Sequence, residues 1–188
     1  MTGSDKTQAA LTLVSGPAAS GKSRWAEHLA AESGLAVTYL ATGPSLPEDA
    51  AWQRRLERHR RRRPPQWQVA EVGEGLAEAL DGLELSQLGL VDSLGTWVAA
   101  HLDRDGPAWR ACVEELLASI ASCRGPLVVV CEETGWGVVP PTREGLRFRE
   151  RLGALQRQVS FGSDAVWLVA HGRAIELSRL GHIVPEDD

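Results

Sequence analysis

Cysteine, lysine and two of the three aromatic types are scarce in this chain: 188 residues hold three Cys, two Lys, one Tyr and two Phe, and each shortage excludes something. An odd number of cysteines at uneven spacing, Cys112, Cys123 and Cys131, is neither a disulfide framework nor a zinc motif, and it fits a reducing compartment. Cys112 and Cys123 are expected on one helix, where a rise of about 1.5 Å per residue sets them roughly 16 Å apart, beyond bridging distance. No apolar run approaches the ~20 residues that span a bilayer, and the opening MTGSDKTQAA lacks the apolar core of a signal peptide. A cytoplasmic protein with no membrane span is expected. Net positive charge is lacking as well: at net charge -5 and pI 5.6, wholesale binding to nucleic acid is not expected.

What is present suits a globular protein. With 43% hydrophobic and 24% charged residues, the chain is large enough to bury roughly two-thirds of the surface its unfolded form exposes. Residues 1–10 read as a flexible leader, 11–180 as a single domain and 181–188 as an acidic, frayed tail. Short Val- and Leu-rich runs predict strands at Leu11 to Ser15, Ala36 to Thr42, Trp67 to Val72, Leu88 to Asp92, Leu127 to Glu132 and Ala165 to Ala170, with a short edge strand at Ile175 to Leu177. Helices are expected at Lys22 to Ser33, Glu48 to Arg62, Gly75 to Leu80, Thr96 to Leu102, Ala108 to Ser122 and Thr142 to Val159. Strands alternating with helices imply an α/β fold, a mostly parallel sheet covered on both faces.

The first strand runs into Gly16-Pro17-Ala18-Ala19-Ser20-Gly21-Lys22-Ser23, which fits G-x-x-x-x-G-K-[ST], and then into a helix. Strand, loop and helix stand in the order a phosphate-binding loop requires. Glycines let backbone N–H groups turn toward phosphate oxygens, Lys22 reaches the β- and γ-phosphates, and the Ser23 hydroxyl is a Mg²⁺ ligand. The lysine count supports this, because a chain that otherwise uses arginine keeps one internal Lys, where a point charge is wanted. ATP or GTP binding follows. A second acid for the magnesium shell is expected at the carboxyl end of a neighbouring strand. Asp92 leads, and Glu132 and Glu133 are the alternatives, with Glu133 also suited to orienting or deprotonating an acceptor hydroxyl. Asp164 precedes its strand and reads as structural.

Arg54 to Arg63, RRLERHRRRR, carries seven Arg against one Glu. On a helix, Trp52, Leu56 and His59 fall on one stripe, with the arginines flanking it and Pro64 and Pro65 stopping the helix. Two readings stand side by side. In one, the run is a solvated face and His59 a packed residue. In the other, Arg58, Arg60, Arg61, Arg62 and Arg63 clamp a polyphosphate while clustered positive charge keeps His59 neutral, as a nucleophile requires.

At this point the chain resembles a family: the bifunctional adenosylcobinamide kinase and adenosylcobinamide-phosphate guanylyltransferases of cobalamin biosynthesis. The likeness runs from Leu11 to about Gly172 and rests on ordered motifs, SGKSRWAE (20–27), YLATG (39–43), RLERHRRRRPPQW (55–67), VAEV (69–72), VDSLGTW (91–97), ETGWGVVP (133–140), RFRERLG (147–153) and DAVWLVAHG (164–172). The resemblance implies a RecA-like P-loop fold, a homotrimer, ATP and GTP as substrates with Mg²⁺, and a corrinoid acceptor. It implies that His59 takes GMP from GTP as a covalent intermediate and passes it to adenosylcobinamide phosphate. Carried over by motif, the catalytic residues are His59, Lys22 and Glu133. The nucleotide contacts are Gly16 through Ser23, Ala41, Thr42, Gly43, Arg60 through Arg63, Glu71 and Asp92, with Ser23 and Asp92 at the metal; Glu71 is the acid offered for the guanine N1–H and N2–H. Pro17, Ala19, Ser93, Gly95, Ala100, Glu132 and Gln156 depart from the family pattern. Two alternatives remain open: a plain P-loop small-molecule kinase, and a nucleotide sensor that binds partners through the arginine helix.

Overall fold

A computed structural model describes residues 10–185. Residues 1–9 of the expected leader and 186–188 of the acidic tail lie outside the described residues. Seven strands form one sheet in the order β3-β2-β4-β5-β1-β6-β7. In chain order these are β1 (Leu11–Gly16), β2 (Ala36–Ala41), β3 (Gln68–Glu71), β4 (Gln87–Asp92), β5 (Leu127–Glu132), β6 (Ala165–Ala170) and β7 (Arg173–Glu176). All pairings are parallel except β6 with β7. The helices are α1 (Lys22–Glu32), α2 (Ala50–Arg62), α3 (Leu76–Asp81), α4 (Leu94–Ala100), α5 (Gly106–Ser122), α6 (Arg143–Phe161) and α7 (Leu177–Leu180).

The central strands β1, β2, β4 and β5 are apolar on both faces because both faces are covered. Leu13, Leu40, Val91, Val129 and Cys131 point to one side, against α3, α4, α5 and α6 through Leu80, Trp97, Leu116 and Leu155. Val14, Tyr39, Leu90, Val128 and Val130 point to the other, against Ala26 and Ala30 of α1. The two-residue alternation thus reads as a continuous hydrophobic run only because each set of neighbours meets its own layer. The expected helix from Thr96 starts earlier, at Leu94, since Ser93 is extended and serves as its N-cap. The expected start at Glu48 moves to Ala50, since Asp49 accepts from the N–H groups of Ala51 and Trp52, both at 2.9 Å.

The three cysteines are free, and Cys123 caps the end of α5 rather than lying within it. Burial raises the Cys131 thiol well above its ordinary range, with the charges of Glu132 and Glu133 adding to the shift, so it is not a nucleophile.

Parallel strands carry their loops at the carboxyl ends, so Gly16, Ala41, Glu71, Asp92 and Glu132 all finish at the same edge of the sheet. Asp164 lies at the opposite edge, where its carboxylate accepts from the Leu11 N–H at 2.8 Å and its own N–H donates to the Leu11 carbonyl at 2.9 Å. Replacing Asp164 by Ala is expected to cost about 1 kcal/mol by chemical denaturation, with nucleotide affinity unchanged in a binding titration.

Candidate active site

The phosphate loop links β1 to α1 and is shaped by backbone more than by side chain. Gly21 has a φ of 98°, which glycine adopts without cost, and Ala19 also lies in the left-handed region at 59°. At Gly16 a Cβ would collide with the Val169 carbonyl oxygen and stand 2.7 Å from Ser20 Oγ, so β6 approaches too closely for any other residue. Lys22 is 5% exposed, and its Nζ rests 3.4 Å from the Pro17 carbonyl oxygen across its own loop. Ala18 through Ser23 line one hollow of about 620 Å³, together with Arg24, Arg58, His59, Arg62 and Glu132, a size suited to a nucleotide.

Asp92 closes β4 beside this loop. Its Oδ2 accepts from the Tyr39 hydroxyl at 2.6 Å and faces His59 Nδ1 at 3.5 Å, while its Oδ1 faces Ser23 Oγ at 3.5 Å. Burial by itself would raise this carboxyl, but the hydrogen bonds from His59, Tyr39 and Ser23 outweigh burial and hold it below the ordinary carboxylate range. Tyr39 shifts upward, chiefly through burial and then through the Asp92 charge, so it serves as a fixed donor. Of the two acids weighed beside Asp92, Glu132 lines the loop hollow and Glu133 turns away, its carboxylate accepting from the Gly135 N–H at 2.6 Å.

His59 sits on α2, which lies over the carboxyl edge without entering the core. No described side chain of α2 is buried. The stripe of Trp52, Leu56 and His59 lines a second hollow with Tyr39, Ala41, Gly43, Glu71 and Asp92, so His59 stands in the wall between the two hollows. That placement fits neither a packed core histidine nor a solvated one; its side chain is 16% exposed. The helix is tied down at points along its length. Trp52 Nε1 donates to the Pro44 carbonyl at 2.9 Å, Gln53 Nε2 to the Leu46 carbonyl at 2.7 Å, and Arg62 pairs with Glu27 of α1 through Nε at 3.2 Å and a second nitrogen at 3.1 Å.

The arginines separate into different tasks. Arg60 faces Glu71 at 3.4 Å, Arg61 pairs with Glu57 one turn back at 2.9 Å and is 78% exposed, and Arg63 stacks over the Tyr39 ring at 3.5 Å. Arg62 and Arg58 face the loop hollow. The charge in contact with the imidazole is therefore a carboxylate, Asp92, and not the arginine cluster expected from the run, because neighbouring acids pair three of the guanidiniums individually. Thr42 sits nearby with its hydroxyl inside the protein, donating to the Ser93 carbonyl at 2.6 Å and accepting from the Ser93 N–H at 2.8 Å.

Sequence reading did not single out Tyr39 or the Ser93 and Thr96 hydroxyls as site residues. Tyr39 carried a signal: it is the one tyrosine in the chain, set in a run of Val and Leu. The hydroxyl cluster carried little, since its partners Thr42 and Ser93 come from different strand ends.

The model of the family described as cobinamide kinase / cobinamide phosphate guanyltransferase matches residues 12–177. The bifunctional adenosylcobalamin biosynthesis protein CobP of Pseudomonas aeruginosa is 37% identical over 167 residues, covering 88% of this chain and 95% of the relative. The bifunctional adenosylcobalamin biosynthesis protein CobU of Escherichia coli strain K12 is 31% identical over 182 residues, covering 89% and 99%. Among solved structures, the RadB recombinase aligns with a TM-score of 0.50 at 19% identity over 86% of this chain and 74% of that one. An ATP synthase subunit, NeqB from Nanoarcheaum equitans, aligns with a TM-score of 0.54 at 11% identity over 94% and 53%. At such identities the structural likeness concerns the fold alone, the expected RecA-like P-loop architecture. The phosphate loop, the Asp92 cluster and the sequence match over nearly the whole chain lead to one assignment: the chain belongs to the cobinamide kinase / cobinamide phosphate guanyltransferase family.

Proposed function

We propose that this chain phosphorylates the free hydroxyl of adenosylcobinamide and then transfers GMP from GTP, by way of His59, to the resulting phosphate. One observation carries the covalent half: the imidazole stands between the two hollows with Nδ1 on Asp92. A carboxylate at Nδ1 fixes the proton there and directs the Nε2 lone pair outward. Nε2 attacks the α-phosphorus of GTP, the bond from that phosphorus to the α–β bridging oxygen breaks, and pyrophosphate leaves with the electron pair. An oxygen of the corrinoid phosphate then attacks the same phosphorus, the N–P bond breaks, and its electrons return to Nε2. Arg58 and Arg62 face the polyphosphate side and oppose its charge as it departs.

In the phosphorylation half, Lys22 and the loop N–H groups hold the triphosphate, from ATP or GTP. Ser23 and Asp92 present hard oxygen donors side by side, which fits Mg²⁺; there it would neutralise phosphate charge. Ala41, Gly43 and Glu71 border the second hollow, where Glu71, beside Arg60, is the acid offered to the guanine edge. Arg60, Arg61 and Arg62 each pair with a carboxylate of the same chain, and Arg58 and Arg62 border the phosphate-loop hollow, so the run suits nucleotide phosphate better than nucleic acid. The family resemblance supports a cytoplasmic homotrimer.

Incubation with α-labelled GTP and Mg²⁺, followed by denaturation, is expected to leave an acid-labile, alkali-stable label on the wild-type chain and none on His59→Ala. Stoichiometric pyrophosphate should accompany the label. Intact GTP binding with no label on the wild type would reduce the activity to that of a plain kinase. Lys22→Ala is expected to lower both half-reactions by about 100-fold or more, read as kcat/KM for each. Asp92 adds a pH signature. Its folded-state carboxyl is depressed, so the stability it contributes is present above the ordinary carboxylate value and is lost as pH falls through the folded one. Acid unfolding of Asp92→Asn is therefore expected to be shallower than that of wild type.

A further inference from the structure

The two acids that close β5 face opposite ways. Glu133 donates its N–H to the Gly16 carbonyl at 2.9 Å and folds its carboxylate onto Gly135, beside a separate hollow bordered by Arg149. Glu132 turns toward β4. Its Oε1 accepts from Ser93 Oγ at 2.7 Å and its Oε2 from the Gly95 N–H at 3.0 Å. Ser93 is itself held by Thr42 through its carbonyl and its N–H, and Gly95 lies in the first turn of α4. Gly95 is what admits it: a Cβ there would collide with Oε2 and stand 2.8 Å from Cδ. Each oxygen of an ionised carboxylate accepts about two hydrogen bonds, so the two donors leave capacity on both. Among the described residues Glu132 makes no ion pair, yet it lines the hollow of the phosphate loop.

A fixed, unpaired carboxylate repels phosphate and attracts a donor. It does not suit direct contact with the triphosphate, and it does suit the hydroxyl that approaches the triphosphate from beyond the loop. We propose that Glu132 binds the acceptor hydroxyl and takes its proton during phosphoryl transfer, an assignment that rests on the kinase activity proposed above. The hydroxyl oxygen bonds to the γ-phosphorus, the bond from that phosphorus to the β–γ bridging oxygen breaks, and the nucleoside diphosphate leaves with those electrons. The hydroxyl proton passes to the Glu132 carboxylate and then to solvent.

The test compares Glu132→Gln, Gly95→Ala and the double variant with wild type for ATP-dependent phosphorylation of cobinamide, alongside ATP affinity by titration and labelling of His59 by GTP. Gln keeps the size of the side chain and one acceptor oxygen, for the Gly95 N–H, and turns an NH2 donor toward Ser93 Oγ, which as a hydroxyl also accepts, but it has no charge; Gly95→Ala keeps the carboxylate and displaces it. Each single variant is expected to lose about 100-fold in kcat with ATP affinity unchanged or tighter, and the double variant to be no worse than Glu132→Gln. A kcat for Glu132→Gln within about 3-fold of wild type overturns the assignment. So does a loss that ATP affinity and His59 labelling share in parallel, which marks a structural role. Wild-type protein that moves no phosphate to cobinamide while still labelling His59 overturns the proposed kinase activity itself, and this assignment with it.

Discussion

Asp92 is the point on which the carboxyl edge of the sheet converges. Its carboxylate is almost wholly removed from water, and a buried anion persists only where donors replace the solvent. Three segments far apart in sequence supply them: Tyr39 from β2, Ser23 from the phosphate loop and His59 from α2. The consequences spread outward. Tyr39, fixed as a donor, offers its ring face to Arg63 just past the end of α2. Ser23, fixed near a carboxylate oxygen, sets the start of α1 against the end of β4. His59, fixed through Nδ1, brings down onto the sheet a helix none of whose described side chains is buried.

That helix shows how a site and a core differ energetically. The helices α3 to α6 stay in place because Leu80, Leu94, Trp97, Leu116, Leu152 and Leu155 are each at most 2% exposed, with burial of each side chain worth roughly 1.5–3 kcal/mol. By contrast, α2 is held by polar contacts, among them Arg62 with Glu27 and Trp52 with Pro44. Contacts of that kind are individually weak when partly exposed. The hollows on either side of His59 thus have one wall anchored by the sheet and one anchored by a few hydrogen bonds, an arrangement in which a nucleotide adds contacts to the more weakly held wall.

Residues that stand apart in sequence come together at this edge of the sheet. Ser93, Gly95 and Glu132 form one hydrogen-bonded unit at the ends of β4 and β5. The absent side chain at position 95 is the space that the longer side chain at 132 occupies. Together they set a carboxylate in the phosphate hollow.

The sequence by itself determined the strands and their order along the chain, the phosphate loop, and the candidacy of His59 and Asp92. Those features rest on local physics: two-residue apolar alternation, left-handed turns at Gly21 and its neighbours, and a strand feeding directly into a helix. The family motifs sharpened the reading of His59, since a histidine among arginines has no single local meaning. Tertiary structure alone decided which charge touches that histidine, which arginines pair with acids of the same chain, and which of two adjacent glutamates faces the phosphate loop. Side-chain direction at a strand end depends on the neighbouring strand and the room it leaves, and the neighbour of β5 that matters here, β4, ends about forty residues earlier in the chain.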